Sequence, residues 1–248
     1  MGQLDGKVAV VTGGTSGIGL ATARAMVAHG AHVFLTGRTR QRLDDAVSQI
    51  GAGVTGICGD VTDQGDLDEL AKAVYAFGRG LDVVFANAGG GEFAALGDIT
   101  ATHLTDTFTR NVAGTVFTVQ TLLPLLNTGA SIILSSSTTA YNGTPAFSAY
   151  AASKAAVRSF GRTWAAEFAD RGIRVNTMVP GPVATPGLTE LAPAGEQQAL
   201  LDAQAADVPM GRIGRPDEIA AAVVFLASDA STFMTGTELF VDGGAEQL

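Results

Sequence analysis

Apolar residues along the chain gather into short, nearly continuous runs separated by longer stretches with helical spacing. The runs are KVAVVT (7–12), HVFLT (32–36), VTGIC (54–58), LDVVFA (81–86), SIILSS (131–136), IRVNTMV (173–179) and ELFVDGG (238–244). Each is rich in Val, Ile, Leu or Phe and bounded by turn-forming residues, which predicts seven buried strands. Helix-like stretches begin near residues 17, 39, 63, 101, 149 and 216, so strand and helix alternate nearly throughout. Such alternation implies βαβ crossovers: a doubly wound α/β fold with a seven-stranded parallel sheet and helices on both faces. The stretch TPGLTELAPAGEQQALLDAQAADVPM (185–210) breaks a helical pattern with Pro and Gly and is read as a flap. No repeat, low-complexity segment or shift in composition divides the 248 residues, so one domain spanning 1–248 is expected.

Composition narrows the function classes. Hydrophobic residues make up 46% of the chain, but no run approaches the roughly 18 consecutive apolar residues of a membrane span. The start, MGQLDGKVAVVTGG, has neither a basic leader nor a small-residue cleavage site, and a cytoplasmic location is expected. With a formal charge of −9 and no Lys/Arg stripe, nucleic acid and anionic membranes are not expected as partners. A single cysteine, Cys58, excludes an internal disulfide. His29, His32 and His103 show no zinc-type spacing, so no metal is expected.

The strand KVAVVT runs into GGTSGIG and then into the helical run LATARAMVAHG. A glycine turn between strand and helix lets backbone amides approach a pyrophosphate at a helix N-terminus, as in a Rossmann-type domain. The spacing places Gly13, Gly17 and Gly19 as G-x-x-x-G-x-G rather than G-x-G-x-x-G, and such a turn also fits a tight βα connection with no ligand. About twenty residues on, TGRTR (36–40) has Gly37 and Arg38 where an acid would bond the ribose hydroxyls of NAD. A cation there favours NADP(H), with NAD(H) left open.

YAASK (150–154) sets a tyrosine and a lysine four positions apart on one helix face. Ser137 lies thirteen residues before Tyr150, FANAG (85–89) closes the fourth strand, Asn111 falls in the long helix after it, and PGPVAT (180–185) follows the sixth strand. Together these motifs, in this order and at these distances, resemble the short-chain dehydrogenase/reductase family over essentially the whole chain. The resemblance implies Tyr150 as general acid/base, Lys154 as its partner, Ser137 as the hydroxyl that binds the substrate oxygen and Asn111 as carrier of a proton-relay water. Ser135 and Ser136 are neighbouring serines, and only the thirteen-residue offset to Tyr150 singles out Ser137. For the cofactor it implies Gly13, Thr15, Ser16, Gly17, Ile18 and Gly19 at the pyrophosphate and Asp60 and Val61 at the adenine. Asn87, Ala88 and Gly89 would form the wall beside the cofactor, and Pro180, Gly181, Val183 and Thr185 would lie near the nicotinamide. It also implies a homotetramer. One departure is visible: Ala86 stands where the family's NNAG has its first asparagine.

Free tyrosine, with a pKa of about 10, is a poor base at neutral pH. An ammonium about 5 Å away at an effective dielectric of ~20 contributes roughly 3 kcal/mol, enough to lower that pKa by about two. Lys154 is therefore expected to make Tyr150 a usable proton carrier, in a reaction that interconverts a ketone and a secondary alcohol. Gly90, Gly91, Glu92, Thr139, Tyr141 and the flap are expected to set specificity. The flap carries Leu188, Leu191, Leu200 and Leu201 and no Lys or Arg, which suits a neutral or apolar substrate. Reduction of a 3-oxoacyl carrier, sugar oxidation and cofactor sensing without turnover are the alternatives.

Overall fold

The computed structural model describes residues 2–246 and 248. The seven predicted strands are present as β1 (Val8–Val11), β2 (His32–Gly37), β3 (Val54–Cys58), β4 (Leu81–Ala86), β5 (Leu126–Ser135), β6 (Arg174–Pro180) and β7 (Glu238–Val241). All pair in parallel within one sheet, ordered β3-β2-β1-β4-β5-β6-β7. The helices are α1 (Gly17–Ala28), α2 (Arg40–Ile50), α3 (Gln64–Phe77), α4 (Ala101–Phe108), α5 (Gly114–Leu122), α6 (Ser148–Glu167), α7 (Pro186–Thr189), α8 (Gln197–Ala206) and α9 (Pro216–Ala227).

Period-two alternation sends neighbouring strand residues to opposite layers. Ala9 and Val11 join Val33, Leu35, Val83 and Phe85 against α1, α2 and α9. Val8 and Val10 join Val84, Ile132 and Leu134 against α3, α5 and α6. Both faces of the central strands are thus covered, which explains why their sequences are continuous apolar runs. Each valine, leucine, isoleucine or phenylalanine among them contributes about 1.5–3 kcal/mol on full burial.

Two elements differ from the sequence pattern. The strand predicted at 131–136 starts at Leu126, where Leu126 pairs with Leu81 before the register shifts to Val83 and Ser131. Its first half is polar; Asn127 holds it by donating to Asp82 Oδ1 (2.9 Å) and the Arg79 carbonyl (3.3 Å), contacts that no local pattern announces. The long helix after β4 is interrupted by a π-turn at Thr109–Ala113 between α4 and α5, and Asn111 sits in it. Such turns recur at functional sites. The 185–210 stretch holds α7 and α8, neither with a buried residue.

Strand order reverses beside β1, whose crossover to β2 leaves on one side while β4 lies on the other. The C-terminal ends of β1 and β4 therefore diverge into opposite layers and open a crevice, the usual ligand position in such sheets.

Candidate active site

The crevice is closed at its base by side chains from both loops. Thr12, just past β1, accepts the N–H groups of Asn87 and Ala88 at 3.0 Å each. Asn87 Nδ2 donates back to the carbonyls of Thr12 (3.1 Å) and Gly13 (3.3 Å). Asn87 thus supplies the staple, while Ala86 is 3% exposed and pairs with Leu134. An apolar residue suits that place, so the Ala86 departure leaves the turn intact.

Gly13 (φ 63°) and Gly17 (φ 52°) adopt left-handed conformations that favour glycine. Any Cβ on Gly19 would stand 2.3 Å from the Gly13 carbonyl oxygen, so the turn tolerates no side chain there. Ser16 precedes α1 without a capping bond from its side chain, and the first turn of α1 holds no acid. Its hydroxyl and the first N–H groups of α1 are therefore positioned for an anion. This backbone cradle fits the pyrophosphate of a dinucleotide.

Ser137, Tyr150 and Lys154 meet in the same cleft, of about 660 Å³, with the glycine turn as one wall. Ser137 Oγ accepts from the Thr139 N–H (3.3 Å) and the Thr139 hydroxyl (3.0 Å), which leaves its own proton to donate. Its hydroxyl favours the ionised form of the Tyr150 phenol. Lys154 is 4% exposed and donates to the Ser135 carbonyl at 2.8 Å, with Nζ 5.6 Å from the Tyr150 ring centroid. Among the described residues no carboxylate pairs with it.

The electrostatics differ from the sequence expectation. Burial pushes the Tyr150 phenol up to about 12, and the Ser137 hydroxyl offsets this only in part. Burial likewise pushes the Lys154 ammonium down to about 8. Desolvation disfavours both charged forms and outweighs the attraction between them that a surface-like dielectric suggests.

Asn111 is wholly buried and clamps the loop after β4: its Nδ2 donates to the Gly90 carbonyl and Oδ1 accepts the Gly90 N–H, both at 2.9 Å. Its second amide proton goes to Ser153 Oγ (2.9 Å), which in turn donates to the Tyr150 carbonyl (2.7 Å). Both amide protons are spent on protein, so the relay water read from the sequence would have to donate to one of the Asn111 carbonyl oxygens, each of which accepts one bond already. Ser153, unremarked in the sequence, ties the clamp to the first turn of α6.

Other expected cofactor residues divide in two. Ser16, Ile18, Asn87, Ala88 and Gly89 line the cleft, as do Pro180, Gly181, Val183 and Thr185 from the far side. Arg38, Asp60, Val61 and Thr15 lie outside its lining. Asp60 and Val61 border a small side cavity beyond β2 and β3, and Arg38 Nη1 is 3.8 Å from Asp60 Oδ2 with its side chain 70% exposed. Thr15 packs against Gly37, where a Cβ would meet the threonine methyl at 2.3 Å. A side chain at position 37 would therefore require the Thr15 side chain to shift.

Tyr141, read from the sequence as a specificity residue, does not line the cleft. Its hydroxyl donates to Glu238, its ring carries Arg158 at 3.7 Å and it packs edge-on to Phe240, pinning the 138–147 loop to the sheet edge. Burial, then the Glu238 bond, raises its pKa. Glu92 and Leu201 are also outside the lining, whereas Thr139, Leu188, Leu191 and Leu200 are in it. Asp207, from the expected flap, and Asn142 and Phe147, from the stretch between Ser137 and Tyr150, line it too, while Phe93 and Glu246 do so without any prior signal.

The chain is similar to known proteins along its whole length. A family model described as enoyl-(acyl carrier protein) reductase matches residues 13–246. The oxidoreductase asL5 of Sarocladium schorii is 44% identical, over 99% of this chain and 98% of that protein. An NADP-dependent (R)-specific alcohol dehydrogenase of Lentilactobacillus kefiri is 38% identical, over 98% of this chain and 97% of its own. A solved short-chain dehydrogenase/reductase of Brucella melitensis, titled a glucose/ribitol dehydrogenase, superposes with a TM-score of 0.93 at 29% identity, each chain covered in full (100%). Likeness from end to end is more than a shared turn on a common fold: the chain belongs to the short-chain dehydrogenase/reductase family, NAD(P)-dependent oxidoreductases acting on CH–OH and C=O groups.

Proposed function

We propose that the protein interconverts a ketone and a secondary alcohol, with NADP(H) preferred over NAD(H). The observation that carries this reading is the meeting of Ser137, Tyr150 and Lys154 at the floor of the cleft walled by the glycine turn, with no carboxylate on the lysine. When bound, the nicotinamide supplies or accepts the hydride at the substrate carbon.

The chain's own residues manage the proton. With its pKa pushed up to about 12, Tyr150 holds its proton throughout the physiological range and acts as a general acid in reduction. Ser137 has a free proton with which to bond the substrate oxygen as negative charge grows on it. The phenolate left behind needs a nearby cation, which Lys154 provides while it is protonated. Asn111 and Ser153 act as positioning residues, tying the Gly90 loop to the helix turn that bears Tyr150.

Three observations support NADP(H): the absence of an acid at Gly37, the exposed guanidinium of Arg38 and the name of the Lentilactobacillus kefiri relative. The family resemblance further supports reading 1–248 as one cofactor-binding domain with 185–210 as its substrate flap, a cytoplasmic location and a homotetramer, the last tested by light scattering. The decisive assay follows NADPH and NADH oxidation over a panel of ketones, acetoacetyl thioesters and hexoses. Tyr150→Phe is expected to lower turnover by about 10²–10⁴-fold with cofactor binding retained; substantial residual turnover removes Tyr150 from the proton path.

A further inference from the structure

The substrate side of the cleft has a charge pattern that the proposed reaction does not use. Three lining side chains are charged: Lys154, committed to the Ser135 carbonyl at the floor, and the acids Asp207 and Glu246. Arg110 lies against Gly90 but is not part of the lining.

Glu246 is held by three segments far apart in the chain. Asp242, 9% exposed, accepts the N–H groups of Gly244 (2.9 Å) and Glu246 (3.0 Å) and folds the C-terminal turn back over the cleft. Met210, at the end of the flap, donates its N–H to the Gly243 carbonyl (3.2 Å). Asn142, from the loop before α6, donates to Glu246 Oε1 (2.5 Å). Glu246 Oε2 has no partner among the described residues. Asp207 caps the C-terminus of α8, whose last carbonyls add partial negative charge.

Opposite in character is an aromatic stack. Phe147 stacks on the Tyr150 ring (centroids 4.5 Å apart, 29° between planes) and Phe93 continues onto Phe147 (4.7 Å, 41°). Phe93 remains 47% exposed, so a flat apolar group laid on it would gain burial.

We infer that the substrate is a ketone, or the matching alcohol, whose flat apolar body covers Phe93 and Phe147 while a hydrogen-bond donor, neutral or cationic, meets Glu246. Substrates bearing a carboxylate or phosphate, acyl carriers included, are selected against by the two acids. This rests on the ketone–alcohol reading above and makes Glu246 a specificity-determining residue.

The test uses the full chain with NADPH and three ketones sharing a phenyl body: 3-(dimethylamino)propiophenone, methyl 3-benzoylpropionate and 3-benzoylpropionate. The expected order of kcat/KM is cation, neutral ester, anion, with the anion lower than the cation by on the order of tenfold through KM. Glu246→Gln, which keeps an acceptor for Asn142, is expected to shrink that ratio to about threefold or less, and Asp207→Asn to shrink it independently. Calorimetric titration of the same three compounds reads the order whether or not they turn over. Absence of turnover with all three, despite binding in the expected order, refutes the redox reading alone. An anion that binds as tightly as the cation, or a ratio unmoved in Glu246→Gln, overturns the inference about Glu246.

Discussion

The two halves of the cleft are built in different ways. The cofactor half comes from segments at or directly after the ends of parallel strands: the glycine turn after β1, the Asn87 loop after β4 and the stretch from Pro180, the last residue of β6, to Val183. Main-chain groups and close approaches define it, as the 2.3 Å conflict at Gly19 shows. The substrate half is assembled from Phe93, the 138–147 loop, the flap and the C-terminal turn, and depends on side chains such as Phe147 and Glu246. A half made of backbone admits few substitutions and one ligand shape, whereas a half made of side chains on loops is free to vary in specificity on a constant scaffold.

The largest expected effect sharpens that contrast. Gly19→Ala is expected to weaken cofactor binding by on the order of 10²-fold and to lower stability by about 1–3 kcal/mol, because the Gly13 carbonyl cannot retreat without moving the turn. Fluorescence titration with NADPH and thermal melting measure the two; unchanged affinity would break the claim that the backbone defines this half. Next comes the floor where the halves meet. Lys154, with its pKa pushed down to about 8, is protonated below that pH and neutral above it. Reduction is therefore expected to hold steady below about pH 8 and to fall above it, approaching tenfold per pH unit, since the phenolate loses its counter-charge. Tyr150, pushed up to about 12, is not the source of that decline. A rate constant flat from pH 7 to about 10 in pre-steady-state reduction would remove Lys154 from this role.

The smallest effect lies at the periphery of the cofactor half. Arg38 is exposed and only 3.8 Å from Asp60, so Arg38→Asp is expected to weaken NADPH by about tenfold while NADH changes little. Equal losses for both would show that Arg38 does not read the 2′-phosphate and that Gly37 alone shapes the site.

Most of the sheet was legible because its strands are buried on both faces, and burial leaves continuous apolar runs in the sequence. The first half of β5 was not legible, because Asn127 holds that segment through contacts to residues 79 and 82 rather than through apolar patterning. Ser137, Tyr150 and Lys154 were found together through their spacing and the motifs around them. Tyr141 was placed wrongly for a plain reason: a tyrosine between two site residues in the chain points toward the site or toward the sheet edge depending on Glu238 and Arg158, nearly a hundred residues away in the first case.

By itself the sequence determined the alternation of strands and helices, the glycine spacing and the tyrosine–lysine pair one helical turn apart, since each depends on local periodicity and backbone sterics. Only the tertiary structure decided that burial raises the Tyr150 pKa, that Asn111 ties the Gly90 loop to Ser153, and that Glu246 returns to the mouth of the cleft. Those outcomes depend on desolvation and on contacts between residues distant in the chain, quantities that exist only once the chain is packed.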